Sequence, residues 1–377
     1  MRRQCMAFSV LPFLATLSHF TLDFFASFFG TLGPYLINRF GIEVKLFTSF
    51  LTLTSATASL LQIFFAALFD RVSSSKRILF IIYIMEAIGV AVLGLATNFW
   101  IALISIFLFR IANSAFHPLG AAMAGEHSGQ SVAFFSIAGT IGSALGPIFI
   151  AFFVLNFDIK YLWIVALPLL AIALWILRID VPKRTVVKKE RISFKEFSVL
   201  LPILFVVTTR SFSMSIIHTY VPIYVTNILE YPLSVSGTLI TCGTIIGAIS
   251  NYLGVILMRK IGAKRQDLIA FLGMATSVGF MLLSRNLPML FIFYISFDFF
   301  GNLLMSANVV QAQSMLPHRK ALASSVAMGL AWSIGDFLAT GYNAIFGNNV
   351  LLSMGLIIPI TIFASIYFGI LQKYDTK

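Results

Sequence analysis

The chain has 377 residues, of which 59% are hydrophobic and 11% charged, with 39 phenylalanines and a mean hydropathy of +0.95. A soluble domain is about 45–50% apolar and about 25% charged, so this composition excludes a water-soluble fold and predicts a polytopic membrane protein. The net charge of +12 would point to nucleic acid in a soluble protein; here it is read against the membrane, and no nucleic-acid partner is expected.

A spanning helix needs roughly 20 apolar residues. In chain order, apolar segments bounded by charges, Pro or Gly run over 7–36, 45–69, 78–97, 100–124, 131–156, 161–178, 198–227, 233–258, 267–284, 289–316, 322–347 and 350–372. Twelve spans leave no room for a sizeable extramembrane domain and predict an all-α protein. The opening Met1-Arg2-Arg3 before an apolar run is similar to a signal peptide. The run continues past Asp23 without a small-residue cleavage pattern, so it is expected to be an uncleaved first span. The long polar stretch over 179–197 predicts a basic cytoplasmic linker between two six-helix bundles, 1–178 and 198–377.

With the N-terminus inside, 20 of the 26 Lys and Arg fall on the cytoplasmic side. Four, Arg39, Lys45, Lys160 and Arg285, fall outside, and Arg110 and Arg210 lie within spans. That asymmetry predicts cytoplasmic N and C termini in an inner or plasma membrane. A shift of 188 residues superposes Pro34 on Pro222, Arg71 on Arg259, Lys76 on Lys264 and Arg77 on Arg265. A repeat at this period predicts two parallel, pseudo-symmetric bundles with a substrate path at their interface.

Several motifs carry a family resemblance. The segment from Ala66 through Asp70 and Arg71 to Lys76-Arg77, and that from Gly254 through Met258 and Arg259 to Lys264-Arg265, resemble the G-x-x-x-D-R-x-G-R-K signature of the major facilitator superfamily. The resemblance implies that Asp70 and Arg71, with Gly254 and Arg259 in the second copy, help latch the inward side. Ala66 stands in place of Gly and Met258 in place of Asp, so the latch rests mainly on the first copy. Ser18-His19-Phe-Thr-Leu-Asp23, Ser59-Leu-Leu-Gln62, Phe116-His117-Pro118, Gly139-Thr-Ile-Gly142-Ser-Ala-Leu-Gly146-Pro147 and Ala312-Gln313-Ser-Met-Leu-Pro317-His-Arg319 resemble the fosmidomycin-resistance efflux branch. That resemblance implies alternating-access export of a drug-like or anionic compound coupled to protons. The branch often has an acidic residue after F-H-P, where this chain has Leu119, so no role of that carboxylate carries over.

An ionisable group at the bilayer centre costs roughly 2.5–3.5 kcal/mol on insertion scales. Each one in a span therefore needs a partner, an aqueous cavity or a function. His19 and Asp23 are four residues apart on one helix face and can load and release a proton as a cavity meets each side in turn; the alternative is a pair that only orients its helix. Asp298 and Asp336 are further proton-coupling candidates. Candidate substrate contacts are Arg110, His117, Arg210, His218 and Asn302. A guanidinium stays protonated and its fork matches phosphonate, phosphate or carboxylate. Arg110-Ile-Ala-Asn113-Ser114 also resembles the R-x-x-Q-G pattern of proton antiporters, and Gly139, Gly142 and Gly146-Pro147 their fifth-span signature. The latter implies a hinge or gate, against simple close packing. Gly237, Gly243 and Gly247 are expected to be packing positions. Glu86, alone in the third span, is expected to face a neighbouring helix or the membrane edge and is given no role.

Cys5 and Cys242 offer neither a disulfide framework nor metal-ligand spacing, so no metal and no cofactor are expected. The expected partners are a small-molecule substrate, protons and membrane lipids, with the chain a monomer. Uptake, or lipid or sugar transport, is the alternative in the same class. An intramembrane enzyme is disfavoured, because His19 and Asp23 are spaced H-x3-D and no G-x-S-G or H-E-x-x-H motif is present. A sensor without flux is disfavoured because polar residues are spread through both halves.

Overall fold

The computed structural model describes residues 2–69, 75–125, 129–179 and 194–371. Asp70 and Arg71 of the expected latch, and most of the expected linker, lie outside the described residues. Among the described residues the regular structure is helical, and twelve segments are long and apolar enough to cross a membrane. Spans 1–6 are Leu11–Thr31, Val44–Ala66, Lys76–Leu95, Phe99–Ala124, Phe134–Asn156 and Ile159–Arg178. Spans 7–12 are Leu201–Ile228, Leu233–Ile261, Ala263–Leu283, Leu287–Met315, Leu322–Phe346 and Val350–Leu371. Each overlaps the corresponding apolar segment of the sequence.

The two repeat prolines sit where α-helical hydrogen bonding is interrupted. Pro34 lacks an N–H and crowds the preceding turn, and the chain turns at Leu32 between the short helix Phe28–Thr31 and the helix Gly33–Phe40. Span 1 therefore ends earlier than the continuous apolar run suggests. Beyond Pro222, span 7 widens into a π-helical turn over Tyr224–Ile228, again because one rung of the ladder has no donor. The join between spans 8 and 9 is Gly262 alone, at φ +83°, a conformation that glycine adopts without a β-carbon clash. Arg259 and Lys260 lie in the last turn of span 8, where cations complement the carbonyl end of the helix.

The chain divides into two compact units, residues 1–40 with 57–189 and residues 41–56 with 190–377. Residues 41–56 thus pack with the second unit, whereas position in the sequence puts them with the first bundle. Their polar side chains account for this. Ser55 Oγ donates to Asp336 Oδ2 at 2.7 Å, Thr340 Oγ1 to Thr52 Oγ1 at 3.1 Å, and Asn343 Nδ2 to the Thr48 carbonyl at 3.2 Å. Thr48 and Tyr220 hydroxyls meet at 3.3 Å, and Ser333 Oγ donates to the Ala56 carbonyl at 3.0 Å. In an apolar environment such groups settle where partners exist.

Within the first unit, span 5 lies directly on span 1. A β-carbon at Gly139 would overlap the His19 ring, one at Gly142 the Phe20 carbonyl, and one at Gly146 Ser27 Oγ and the Phe24 carbonyl. The glycines recur at three- and four-residue spacing, so they form one stripe, and the stripe lets two backbones touch. The helix runs through Pro147 without a break, over Gly129–Asn156.

Span 6 opens with a cap. Asp158 accepts from the Lys160 backbone N–H at 3.0 Å and pairs with Lys160 Nζ at 3.1 Å. These contacts, the backbone hydrogen bond first, hold its carboxyl below the usual aspartate range. Because the folded value is depressed, the stabilisation is present above the ordinary value of about 3.9 and is lost as pH falls through the lower folded value. Asp158→Asn is expected to lower the thermal midpoint slightly at neutral pH, and the gap from wild type should close on acidification. A gap independent of pH would contradict this.

Candidate functional site

In the first unit, three polar side chains converge from two helices. His19 and Asp23 project from the same face of span 1, with His19 Nε2 3.2 Å from Asp23 Oδ2. His117 of span 4 places its Nε2 3.6 Å from Asp23 Oδ1. The two imidazoles meet edge to face at 5.2 Å. His19 Nδ1 lies 2.7 Å from the Phe135 carbonyl, and the Phe135 ring stacks on His19 at 4.0 Å. Ser143 Oγ of span 5 reaches Asp23 Oδ2 at 3.5 Å. All three side chains stay half-buried. His19, Asp23 and His117 can each offer one ligand atom, and these atoms lie within 4.8 Å of one another. The expectation of no metal site came from cysteine spacing along the chain, which says nothing about residues almost a hundred positions apart.

Arg110, also on span 4, lies with its guanidinium carbon 5.8 Å from the centre of the Phe29 ring, within cation–π range. Of the two directions expected for Glu86, the structure has it inward, against neighbouring helices. Its side chain is fully buried inside the unit, and neither carboxyl oxygen has a hydrogen-bond partner among the described residues. A lone carboxyl group in an apolar span was the sequence signal; its inward direction depends on the fold.

In the second unit the cluster joins spans 7 and 10. His218 Nε2 lies 2.6 Å from Asp298 Oδ1. The His218 side chain is 44% exposed and that of Asp298 2%, so the imidazole stands between the buried carboxylate and the open side. Arg210 is buried. Its Nε donates to the Gly301 carbonyl at 2.5 Å and its Nη2 reaches Asn302 Oδ1 at 3.4 Å. Asn302 Nδ2 donates to the Asp298 carbonyl at 2.9 Å. Trp332 of span 11 lies under the guanidinium at 5.9 Å. Asp336 accepts the Ser55 hydroxyl at 2.7 Å.

Two glycines of span 8 shape this cluster. A β-carbon at Gly243 would overlap Asp298 Oδ2, and one at Gly247 would overlap the Asn302 amide. They are packing positions, as expected, and what packs on them is the polar pair itself. Gly243→Ala is therefore expected to displace Asp298 and lower the thermal midpoint of the purified protein. Gly279→Ala, whose new carbon would sit 3.8 Å from its nearest neighbour, should not lower it; equal effects of the two would contradict the placement. Lower on span 8, a β-carbon at Gly254 would overlap the Leu303 carbonyl. Gln266 Nε2 bridges that approach, donating to the Gly254 carbonyl at 2.9 Å and the Leu303 carbonyl at 2.8 Å. Arg259 is exposed at the end of the span.

The chain matches the family model described as Major Facilitator Superfamily over residues 15–340. No curated protein matches it significantly. Solved structures with a similar fold include the nucleoside transporter NupG, 14% identical, with a TM-score of 0.77 over 96% of this chain and 100% of that one. A bacterial homologue of the human lysosomal transporter Spinster, in an inward-facing and unoccupied conformation, is 14% identical, with a TM-score of 0.75 over 97% of this chain and 95% of that one. A D-xylose–proton symporter is 15% identical, with a TM-score of 0.75 over 97% and 98%.

Proposed function

The chain belongs to the Major Facilitator Superfamily, and from that premise we propose that it is a secondary active transporter that exports a small amphiphilic or anionic compound in exchange for protons. The observation that carries the coupling is the His218–Asp298 pair at 2.6 Å. A half-exposed imidazole hydrogen-bonded to a buried carboxylate can receive a proton from the open side and pass it inward, the kind of relay that intramembrane His and Asp residues provide in pumps and transporters. Arg210, one side of its guanidinium committed to Gly301 and Asn302, keeps a fixed positive charge beside that pair. That charge is what an anionic substrate would meet. Moving one charge through the full potential is worth about 2.3 kcal/mol per 100 mV, enough to support accumulation.

Export, and the fosmidomycin-resistance branch, rest on the motifs around His19, His117 and Gly139. Uptake is the competing direction, favoured by the likeness in fold to a proton symporter. The reading of an anionic substrate is tested by a thermal-shift screen of phosphonates, carboxylates, sugars and neutral drugs on purified protein, since a ligand that binds the folded state raises its midpoint. For phosphonates that bind, Arg210→Gln should weaken affinity by roughly tenfold, the scale of a charge-assisted hydrogen bond, with little effect on neutral compounds. Equal loss for both classes would contradict the anionic assignment.

A further inference from the structure

We infer that His19, Asp23 and His117 form a binding site for a divalent first-row transition-metal ion in the first unit. This goes beyond the transport reading, whose proton relay rests on the second unit.

The argument starts from the tautomer of His19. A backbone carbonyl only accepts hydrogen bonds, so the 2.7 Å contact between His19 Nδ1 and the Phe135 carbonyl places the ring proton on Nδ1. The Nε2 of the neutral ring then carries a lone pair, and it faces Asp23 Oδ2, another acceptor, at 3.2 Å. Two acceptors held together in a half-buried site are joined by a cation, either a second ring proton on Nε2 or a metal ion. Donation of the second ring nitrogen to a carbonyl is also the outer-shell contact that metal-ligating histidines make.

The third member decides against a simple pair. His117 Nε2 stands 3.6 Å from Asp23 Oδ1, too long for a hydrogen bond. Metal–ligand bonds of about 2.1 Å put neighbouring ligand atoms about 3.0–3.4 Å apart in octahedral or tetrahedral geometry. The separations of 3.2 and 3.6 Å run to the two different oxygens of Asp23, so a carboxylate that binds through both oxygens has one imidazole beside each at close to that spacing. One ligand atom from each of the three residues lies within 4.8 Å of the other two. Two imidazoles and one carboxylate select borderline ions such as Zn2+ or Co2+ over Mg2+ and Ca2+, which prefer all-oxygen sets. Three protein ligands leave a coordination position open on the exposed side. Gly139 is part of the site, since any larger side chain would displace the His19 ring. Bound metal would tie span 1 to span 4.

The test is binding, without transport. Purified full-length protein, free of any polyhistidine tag, is titrated with Co2+ and followed by its visible d–d absorption and by thermal midpoint. The expected result is one saturable Co2+ per chain, displaced by Zn2+, with a raised midpoint. His117→Gln and Asp23→Asn should each weaken Co2+ binding at least tenfold, and His318→Gln, in an exposed loop, should not. His117→Gln is the decisive variant should Asp23→Asn fail to fold, because His117 is the most open of the three at 28% exposure. Absence of saturable binding to wild type overturns the inference. So does Co2+ binding that survives His117→Gln unchanged in protein with wild-type thermal stability in the absence of metal.

Discussion

Asp298→Asn is expected to abolish proton-driven transport while leaving folded protein. The carboxyl of Asp298 is buried, and its hydrogen-bond partner His218 is exposed on the other side. Asparagine keeps the size and can still hydrogen-bond the imidazole, and Arg210, which loses the nearby negative charge, keeps its hydrogen bonds to Gly301 and Asn302. What is lost is the capacity to hold a proton. Gradient-driven flux should fall roughly a hundredfold, the scale associated with removing a positioned proton-transfer group. Exchange of labelled for unlabelled substrate across a membrane without a gradient needs no change of protonation, and it should persist. Loss of both activities together would mean that Asp298 serves substrate binding or folding, and retention of gradient-driven flux would remove it from the coupling path. His218→Gln should show the same pattern more weakly, because the carboxylate would remain.

Gly142→Leu is expected to prevent accumulation of folded protein. The β-carbon at this position would overlap the Phe20 backbone carbonyl, and a backbone atom on a packed helix cannot swing aside as a side-chain tip can. Overpacking a core typically costs about 1–3 kcal/mol, and a leucine inserted between two touching backbones lies at or beyond the upper end. Gly142→Ala is the graded version. Alanine favours a helix over glycine by about 1 kcal/mol, yet here the steric term wins because span 1 would have to move away from span 5. At Gly279, where no such neighbour exists, the same change should be neutral or stabilising. Thermal unfolding of the purified variants in detergent measures both. A Gly142→Ala midpoint at or above wild type would contradict the close approach of the two helices.

The fold was legible because the bilayer imposes one simple requirement. About twenty apolar residues must recur, and in this chain twelve runs do so. Pro34 and Pro222 were legible as repeat markers, although the interruptions they cause in spans 1 and 7 emerged with the helices themselves. Side-chain identity flagged Asp23, His19, Asp298, Arg210 and His218, since polar groups are rare in such spans. Partnership was another matter. His19 with Asp23 follows from helical periodicity, whereas the approach of His117, of Asp298 to His218, and of Asp336 to Ser55 depends on which helices are neighbours. Glu86 carried the same signal as the others. Its burial inside the first unit follows from helix rotation, which a nearly uniform apolar span does not encode. For the same reason the start of span 2 sorted by its threonines and Ser55 and not by its place in the chain.

The central claim, exchange of substrate for protons, is tested most directly by the movement of protons themselves. Proteoliposomes enclosing a pH-sensitive dye are prepared without a gradient, and a phosphonate that binds in the thermal-shift screen is added outside. Substrate entering by antiport carries protons out, so the lumen should become alkaline, and with Asp298→Asn the signal should vanish. Acidification of the lumen, or no change while the phosphonate enters, would contradict the account.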